Sequence, residues 1–352
     1  MPARSLFSFL VTLVALSASA VAADVCGDVY AGTWRNPPFG YDIYRNGAAY
    51  QFTSGVFDAP ENTPIAMDAA GNLFHAQTID AQGTVRVYRN NVALHTYGPR
   101  GGPSWVYSGI GLAVKPDGTW FAAFYTDPTT VTVYINGNTP YRTYTAYDFG
   151  YSPLHLAWDE VHERLYAVVR TGSATASVYA EDTSVAAYAQ RGCGLATRAG
   201  HWYTCEPVGT GQMAVYQDGK PWTTITGAFT ARYSVELAVD GRGHPFILAP
   251  VSGGQFGLFD KSGKLLYNLP NTAAGGGIGL WIQLTAACRP GDLNCDGVVD
   301  FGDINPFVLA LTNPAAYQAQ YPNCPFDNRD INGDGLCDFG DINPFVRLLS
   351  NP

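Results

Sequence analysis

The sequence predicts a mainly β protein: a six-bladed β-propeller followed by a small, acidic domain with short helices. Three observations predict it. One short pattern recurs six times, at intervals of 37 to 46 residues. Gly (39), Pro (23) and Tyr (22) are abundant while charged residues make up only 14%, the composition of a turn-rich β chain. Acidity is concentrated at one end. Positions 289–352 hold nine Asp and three Arg, a net −6 of the total −9, so the other 288 residues carry only −3. A chain of 352 residues has room for one large β domain and a small appendage. Its negative charge argues against nucleic acid and against anionic membrane surfaces as partners.

The first element is a targeting segment. "MPARSLFSFLVTLVALSASAVAA" combines Arg4, an apolar run from Leu6 to about Leu16, and small residues ending in Ala20-Val21-Ala22. That order reads as an export signal with a cleavage site. The apolar run is too short for a retained membrane helix, and no other stretch is long and apolar enough for one. Residues 1–23 are expected to be removed, leaving a mature chain with no membrane span that is secreted, extracellular or held at the cell surface.

The body, residues 24–288, is six copies of one unit. The copies read "DIYRNG" from Asp42, "RVYRNN" from Arg86, "TVYING" from Thr132, "SVYAED" from Ser177, "AVYQDG" from Ala214 and "GLFDKS" from Gly257. A second pattern keeps step with them, as in "PIAMDAAGNLFHA" from Pro64 and "GLAVKPDGTWFAA" from Gly111. It is an apolar strand, a turn and an aromatic strand. Asp-Gly and similar pairs favour tight hairpins between alternating strands. About four short strands in each 40–45-residue repeat is a propeller blade; a β-sandwich or β-solenoid is the alternative. The first copy, opening at "DVYAGTW", lacks its innermost strand. The orphan "GIGLWIQL", Gly277 to Leu284, supplies one at the other end. Together they complete a sixth blade from both ends of the repeat region.

Seven Cys suit an oxidising compartment, and the odd count leaves one thiol over. Cys26 and Cys288 flank the completed blade and are expected to pair, closing a loop of about 260 residues. Cys193 and Cys205 lie on two strands of one hairpin, where they can face each other, and are expected to pair.

In period and strand pattern, residues 24–288 resemble six-bladed propellers of the NHL and gluconolactonase-like kind. No catalytic residue is identified: there is no G-x-S-x-G, no H-E-x-x-H and no Gly-rich phosphate loop. His75, His155, His162, His201 and His244 are read as lying near strand ends. Asp68, Asp159 and Asp240 follow innermost strands, either as channel acids or as turn formers, with turn chemistry favoured. The Tyr-rich stretch "TPYRTYTAYDFGY", Thr139 to Tyr151, reads equally as a recognition surface or as packing between blades.

The C-terminal region, residues 289–352, states one motif twice. "DLNCDGVVDFGD" and "DINGDGLCDFGD" are each followed by "INPFV", at an offset of 38 residues. Numbered as twelve-residue loops, the first offers Asp292, Asn294, Asp296, the carbonyl of Val298, Asp300 and Asp303. The second offers Asp330, Asn332, Asp334, the carbonyl of Leu336, Asp338 and Asp341. This is the EF-hand spacing with Asp at position 12, and Gly297 or Gly335 at position 6 permits the turn. Calcium is a hard cation that takes six to eight oxygens, and alternate loop positions can aim theirs inward. Two ions are expected, stabilising the loops as well as filling them, because the four Asp of each loop repel one another without a cation.

Two such loops, each followed by one helix and lacking the preceding helix, resemble a type I dockerin. The resemblance implies a domain that binds two Ca²⁺ and docks onto a cohesin module or another surface partner. The places that contact cohesin in the family fall on Phe301-Gly302 and Phe339-Gly340 here, where a Ser/Thr pair is common. Phe307, Val308, Leu311, Phe345, Val346 and Leu349 are expected to form the core between the helices. One disulfide and one spare thiol are expected here. Cys295–Cys324 is the expected pair, because Cys337 occupies loop position 8, an apolar place.

The leading functional reading is a non-catalytic assembly component. Its tail docks while its propeller binds a polysaccharide or protein ligand. The alternative is a polysaccharide hydrolase or lyase carried by the same tail, which a pair of carboxylates in the propeller channel would favour. A third reading makes the tail a calcium-stabilised cap without a partner.

Overall fold

Each repeat folds as a four-stranded antiparallel sheet, and six sheets stand around one axis. The computed structural model describes residues 27–35, 40–54, 64–80, 83–98, 109–147, 154–173, 175–188, 193–230, 235–252, 255–269, 278–283, 289–296, 298–322, 324, 328–332 and 336–350. The segment expected to be an export signal, the expected partners Cys26 and Cys288, and Gly297, Asp334 and Gly335 lie outside the described residues.

From the axis outward, blade 1 comprises Ile65–Met67, Leu73–Thr78, Val85–Arg89 and Val92–Tyr97. Blade 2 comprises Gly111–Val114, Trp120–Asp127, Thr130–Ile135 and Thr139–Thr145. Blade 3 comprises Leu154–Asp159, Arg164–Arg170, Ala176–Ala180 and Thr183–Tyr188. Blade 4 comprises Cys193–Arg198, His201–Gly209, Gln212–Gln217 and Lys220–Thr226. Blade 5 comprises Glu236–Val239, Pro245–Pro250, Phe256–Phe259 and Leu265–Leu269. Blade 6 joins both ends of the repeat region. Its innermost strand Ile278–Gln283 pairs with Asp28–Arg35 from Asp28↔Gln283 to Thr33↔Ile278, followed by Gly40–Arg45 and Ala48–Ser54. This is the ring closure expected from the orphan strand.

The recurrent "VY" dipeptide has a structural cause. In all six blades the pairing of the third strand with the outermost one shifts between its two residues. The shifts fall at Ile43/Tyr44, Val87/Tyr88, Val133/Tyr134, Val178/Tyr179, Val215/Tyr216 and Leu258/Phe259. The extra residue sits on the outermost strand, and at four of the six places it is a large apolar side chain turned to solvent: Tyr50, Leu94, Val185 and Trp222. A bulge bends and twists the edge strand, which makes it a poor template for pairing with another chain.

The core is a ring of six apolar clusters, one between each pair of neighbouring blades. Phe121, Tyr125 and Val133 of blade 2, for example, meet Leu154, Leu165 and Val169 of blade 3. Burial on both faces explains why the second strands read as near-continuous apolar runs rather than alternating ones.

The acidic tail has a separate small core of Leu293, Phe307, Ala310, Tyr317, Cys324 and Phe345. Among the described residues it carries three α-helices: α1 (Ile304–Thr312), α2 (Pro314–Gln320) and α3 (Ile342–Ser350). Asn313 caps α2, accepting from Ala316 N–H at 3.1 Å. Phe307 of α1 and Phe345 of α3 pack ring to ring at 4.4 Å. Cys295 and Cys324 are joined by a disulfide across 5.7 Å between Cα atoms, as expected. Val308 and Val346 depart from expectation. They are 51% and 52% exposed, on the outer sides of their helices rather than between them. No helix among the described residues is long and apolar enough to cross a membrane.

The paired acidic loops and the propeller cleft

Both loops end in the same capping device. Asp303 Oδ1 accepts from Leu293 N–H at 2.7 Å and Asn294 N–H at 3.0 Å, while Oδ2 accepts from Asp300 N–H at 3.0 Å. Asp341 repeats this with Ile331 (2.7 Å), Asn332 (2.9 Å) and Asp338 (2.9 Å). Both carboxylates are fully buried, and neither has an ion-pair partner among the described residues. Asp300 and Asp338 in turn cap the short helices Phe301–Asp303 and Phe339–Asp341, with capping boxes in both. Each position-12 carboxylate is thereby turned back into its own loop.

Around Asp303, Asp292 Oδ1 accepts from Asp296 N–H at 3.1 Å, Asn294 Oδ1 accepts from the same N–H at 2.9 Å, and Asp296 Oδ1 accepts from Val298 N–H at 2.9 Å. Every side-chain donor that the spacing picks out is a hard oxygen, the set that suits calcium and not a soft metal. Among the described residues, no three acidic, imidazole or thiol groups already stand together as a cage. The disulfide fixes Cys295 at loop position 4, with φ +58, and Asn328 Nδ2 donates to the Asp292 carbonyl at 2.7 Å. Cys337 keeps a free thiol, which burial and the neighbouring Asp341 push up to about 11.

The candidate partner-contact residues are on the outside. Phe301 is 76% exposed and Phe339 82%, the two most exposed large apolar side chains described, and Gly302 and Gly340 beside them are exposed too. Ile304 and Val308 extend the first patch along α1, and Ile342 and Val346 the second along α3, each pair four residues apart on one helical face.

A cavity of about 1310 Å³ runs along the propeller axis and opens between the propeller face and the tail. Small or apolar residues of the innermost strands line its axial part, among them Leu112, Ala157, Leu195, Ala238 and Gly279. Polar groups of the innermost strands that line it include Glu236, whose carboxylate lies 3.5 Å from His155 Nδ1 with both groups buried, and Arg198. Arg198 donates to the carbonyls of Val239 of blade 5 (3.2 Å) and Ile282 of blade 6 (3.4 Å). Arg289, Val298, Asn332 and Arg347 of the tail form its far wall.

The structure assigns turn roles to the candidate acids of the propeller. Asp68 accepts from Asn72 N–H (2.8 Å), Asp159 from Val161 N–H (3.1 Å), and Asp240 from Arg242 N–H (3.0 Å) and His244 N–H (2.9 Å). His162 and His201 hydrogen-bond to Asp159 (2.7 Å) and Asp218 (2.6 Å). His75 is not at a strand end. It lies inside the second strand of blade 1, fully buried and stacked on Tyr88 at 4.6 Å, and burial holds its pKa down to about 4. The first part of the Tyr-rich stretch packs between blades. Tyr141 donates to Glu181 Oε2 at 2.9 Å and Tyr144 to the Glu181 carbonyl at 2.9 Å, joining blade 2 to blade 3. In the hairpin between Cys193–Arg198 and His201–Gly209, Cys193 and Cys205 are directly opposed in register. The side chain of Cys193 is not among those described.

No protein-family model and no curated protein matches the sequence. Solved structures with similar folds include a protein of unknown function from Bacteroides caccae, 10% identical with a TM-score of 0.48, over 73% of this chain and 99% of that one. TolB from Acinetobacter baumannii has the same identity and TM-score over 73% of this chain and 67% of that one. BBS1N, solved in complex with ARL6DN, is 10% identical with a TM-score of 0.43, over 65% and 72%. Likeness at this level says nothing of activity or partners.

Proposed function

We propose that this chain is an exported assembly component. In this reading its tail binds two calcium ions and docks onto a cohesin-like or other surface protein, while its propeller serves as a recognition module. Asp292, Asn294, Asp296, the Val298 carbonyl, Asp300 and Asp303 would hold one ion. Asp330, Asn332, Asp334, the Leu336 carbonyl, Asp338 and Asp341 would hold the other. The donor chemistry supports this, as does the burial of Asp303 and Asp341 without a cationic partner among the described residues.

The observation that carries docking is the pair Phe301 and Phe339, 76% and 82% exposed at the same place in two copies of one motif. Exposed apolar side chains grouped with Ile304 and Val308, or with Ile342 and Val346, suit a protein partner that removes them from water. The test is binding of the calcium-loaded full chain to a panel of purified cohesin modules. Micromolar or tighter binding that is abolished by chelator and by Phe301→Asp with Phe339→Asp supports the reading. Failure to bind any module at high concentration, with both ions bound, would rule out the cohesin partner.

A further inference from the structure

We infer that the cleft between the propeller face and the tail is a binding site for an anionic oligosaccharide, one bearing carboxylate or sulfate groups. It is distinct from the docking patches and does not depend on them. The chain carries −9 overall and its tail alone −6, yet the charged groups facing this cleft have the opposite balance. Arg198, Arg242, Lys261, Arg289 and Arg347 line it. The lining acids are Asp68, Asp159, Glu160 and Glu236, and all but Glu160 are buried. Asp68 and Asp159 are also engaged by turn N–H groups. Lys261, Arg289 and Arg347 are exposed. Arg242 is already paired with the buried Asp240 at 3.2 Å, so the exposed charges of the cleft are three cations against one carboxylate, Glu160, in a chain whose net charge is negative.

Two further features narrow the ligand. Lys261 Nζ donates to His244 Nε2 at 2.7 Å, a contact with an imidazole nitrogen rather than with a carboxylate. Trp222 is the outward bulge residue of blade 4, 40% exposed and backed by Tyr203 at 5.3 Å, and both line the cleft. A flat indole in the wall of the same cleft as ammonium and guanidinium groups suits an oligosaccharide with acidic substituents: a ring face can pack on the indole while anions are met by charge-assisted hydrogen bonds. The volume of about 1310 Å³ accommodates several rings rather than one. Because the walls come from both modules, a ligand here would touch Lys261 of the propeller and Arg347 of the tail together.

The test uses the full chain at fixed calcium concentration, titrated with oligogalacturonate, a chondroitin sulfate oligosaccharide and an uncharged malto-oligosaccharide, with polyglutamate as a non-sugar polyanion. Lys261→Glu and Arg347→Glu reverse one charge on each wall at exposed positions. Arg89→Glu, exposed on blade 1, is the control. Binding of at least one acidic sugar is expected. Each wall reversal should weaken it by about tenfold, the control should not, and added salt should weaken it further. The acidic substituent that binds separates carboxylate from sulfate recognition. The inference is overturned if no acidic sugar binds, if the neutral sugar or polyglutamate binds as well, or if both reversals leave affinity unchanged. Cohesin binding, read on the same variants, reports separately on the docking proposal.

Discussion

Asn136 and Trp120 hold each other twice. The Asn136 N–H donates to the Trp120 carbonyl at 3.0 Å, and Asn136 Oδ1 accepts from the Trp120 N–H at 3.0 Å. Asn136 sits at φ +47, the left-handed region that Asn tolerates. The same exchange joins Asn46 to Val29, Asn90 to Leu73, Glu181 to Leu165 and Asp218 to Trp202. Five blades thus share one clamp, which ties the third hairpin turn to the start of the second strand. Asn136→Gly keeps the turn and loses the side-chain bond, a cost of about 1 kcal/mol. Asn136→Ala also strains φ and should cost about 2 kcal/mol. Urea unfolding of the two variants checks the order. Equal costs would show that backbone strain plays no part.

His75 makes the propeller sensitive to acid. Its folded pKa, about 4, is depressed from 6.5 by burial, and neither ring nitrogen has a hydrogen-bond partner among the described residues. The unfolded chain therefore binds a proton that the folded chain refuses. This contribution is fully present above about pH 6.5 and is lost progressively as pH falls towards 4, by up to about 3 kcal/mol. His75→Phe keeps a ring between Tyr41 and Tyr88 and removes the titration. The difference in unfolding free energy between wild type and variant should grow as pH falls through this window; a constant difference contradicts it.

Two Asp of the first loop should behave differently. Asp303 is buried and accepts three backbone N–H bonds, whereas Asp296 is exposed. Asp303→Ala is expected to destabilise the tail by about 2 to 3 kcal/mol even with calcium removed. Asp296→Ala should act mainly on calcium affinity. Hydrogen exchange at the Leu293 and Asn294 amides in chelator separates the two effects, with faster exchange expected only in Asp303→Ala.

Replacing Phe301 and Phe339 by Asp should leave the melting temperature nearly unchanged, because 76% and 82% of these side chains already faces water. A large loss of stability would mean that both rings pack onto something the chain itself supplies.

The propeller could be read from the sequence because each blade repeats its turn chemistry and its "VY" step, and because "GIGLWIQL" had no partner of its own. The clamp was in view as Asn, Asn, Asn, Glu and Asp at one place in five copies, but its partner lies 16 or 17 residues upstream and only the fold brings the two together. Apolar character alone points Val308 and Val346 to the core. What decides their place is helical phase: four residues after Ile304 and Ile342, they share the outward face. The cleft was invisible in the sequence, since Lys261 and Arg347 are 86 positions apart and carry no motif. Cys295–Cys324 was legible by elimination, once position 8 had claimed Cys337 as a core place.

The most direct test of the central claim is calorimetric titration of the chelator-treated full chain with calcium, alongside Asp292→Ala, Asp330→Ala and the double variant. Two ions bound by the wild type are expected, one by each single variant and none by the double variant, with the melting transition of the tail rising as the sites fill. A wild type that binds no calcium at millimolar concentration, or a double variant that binds as the wild type does, would contradict it.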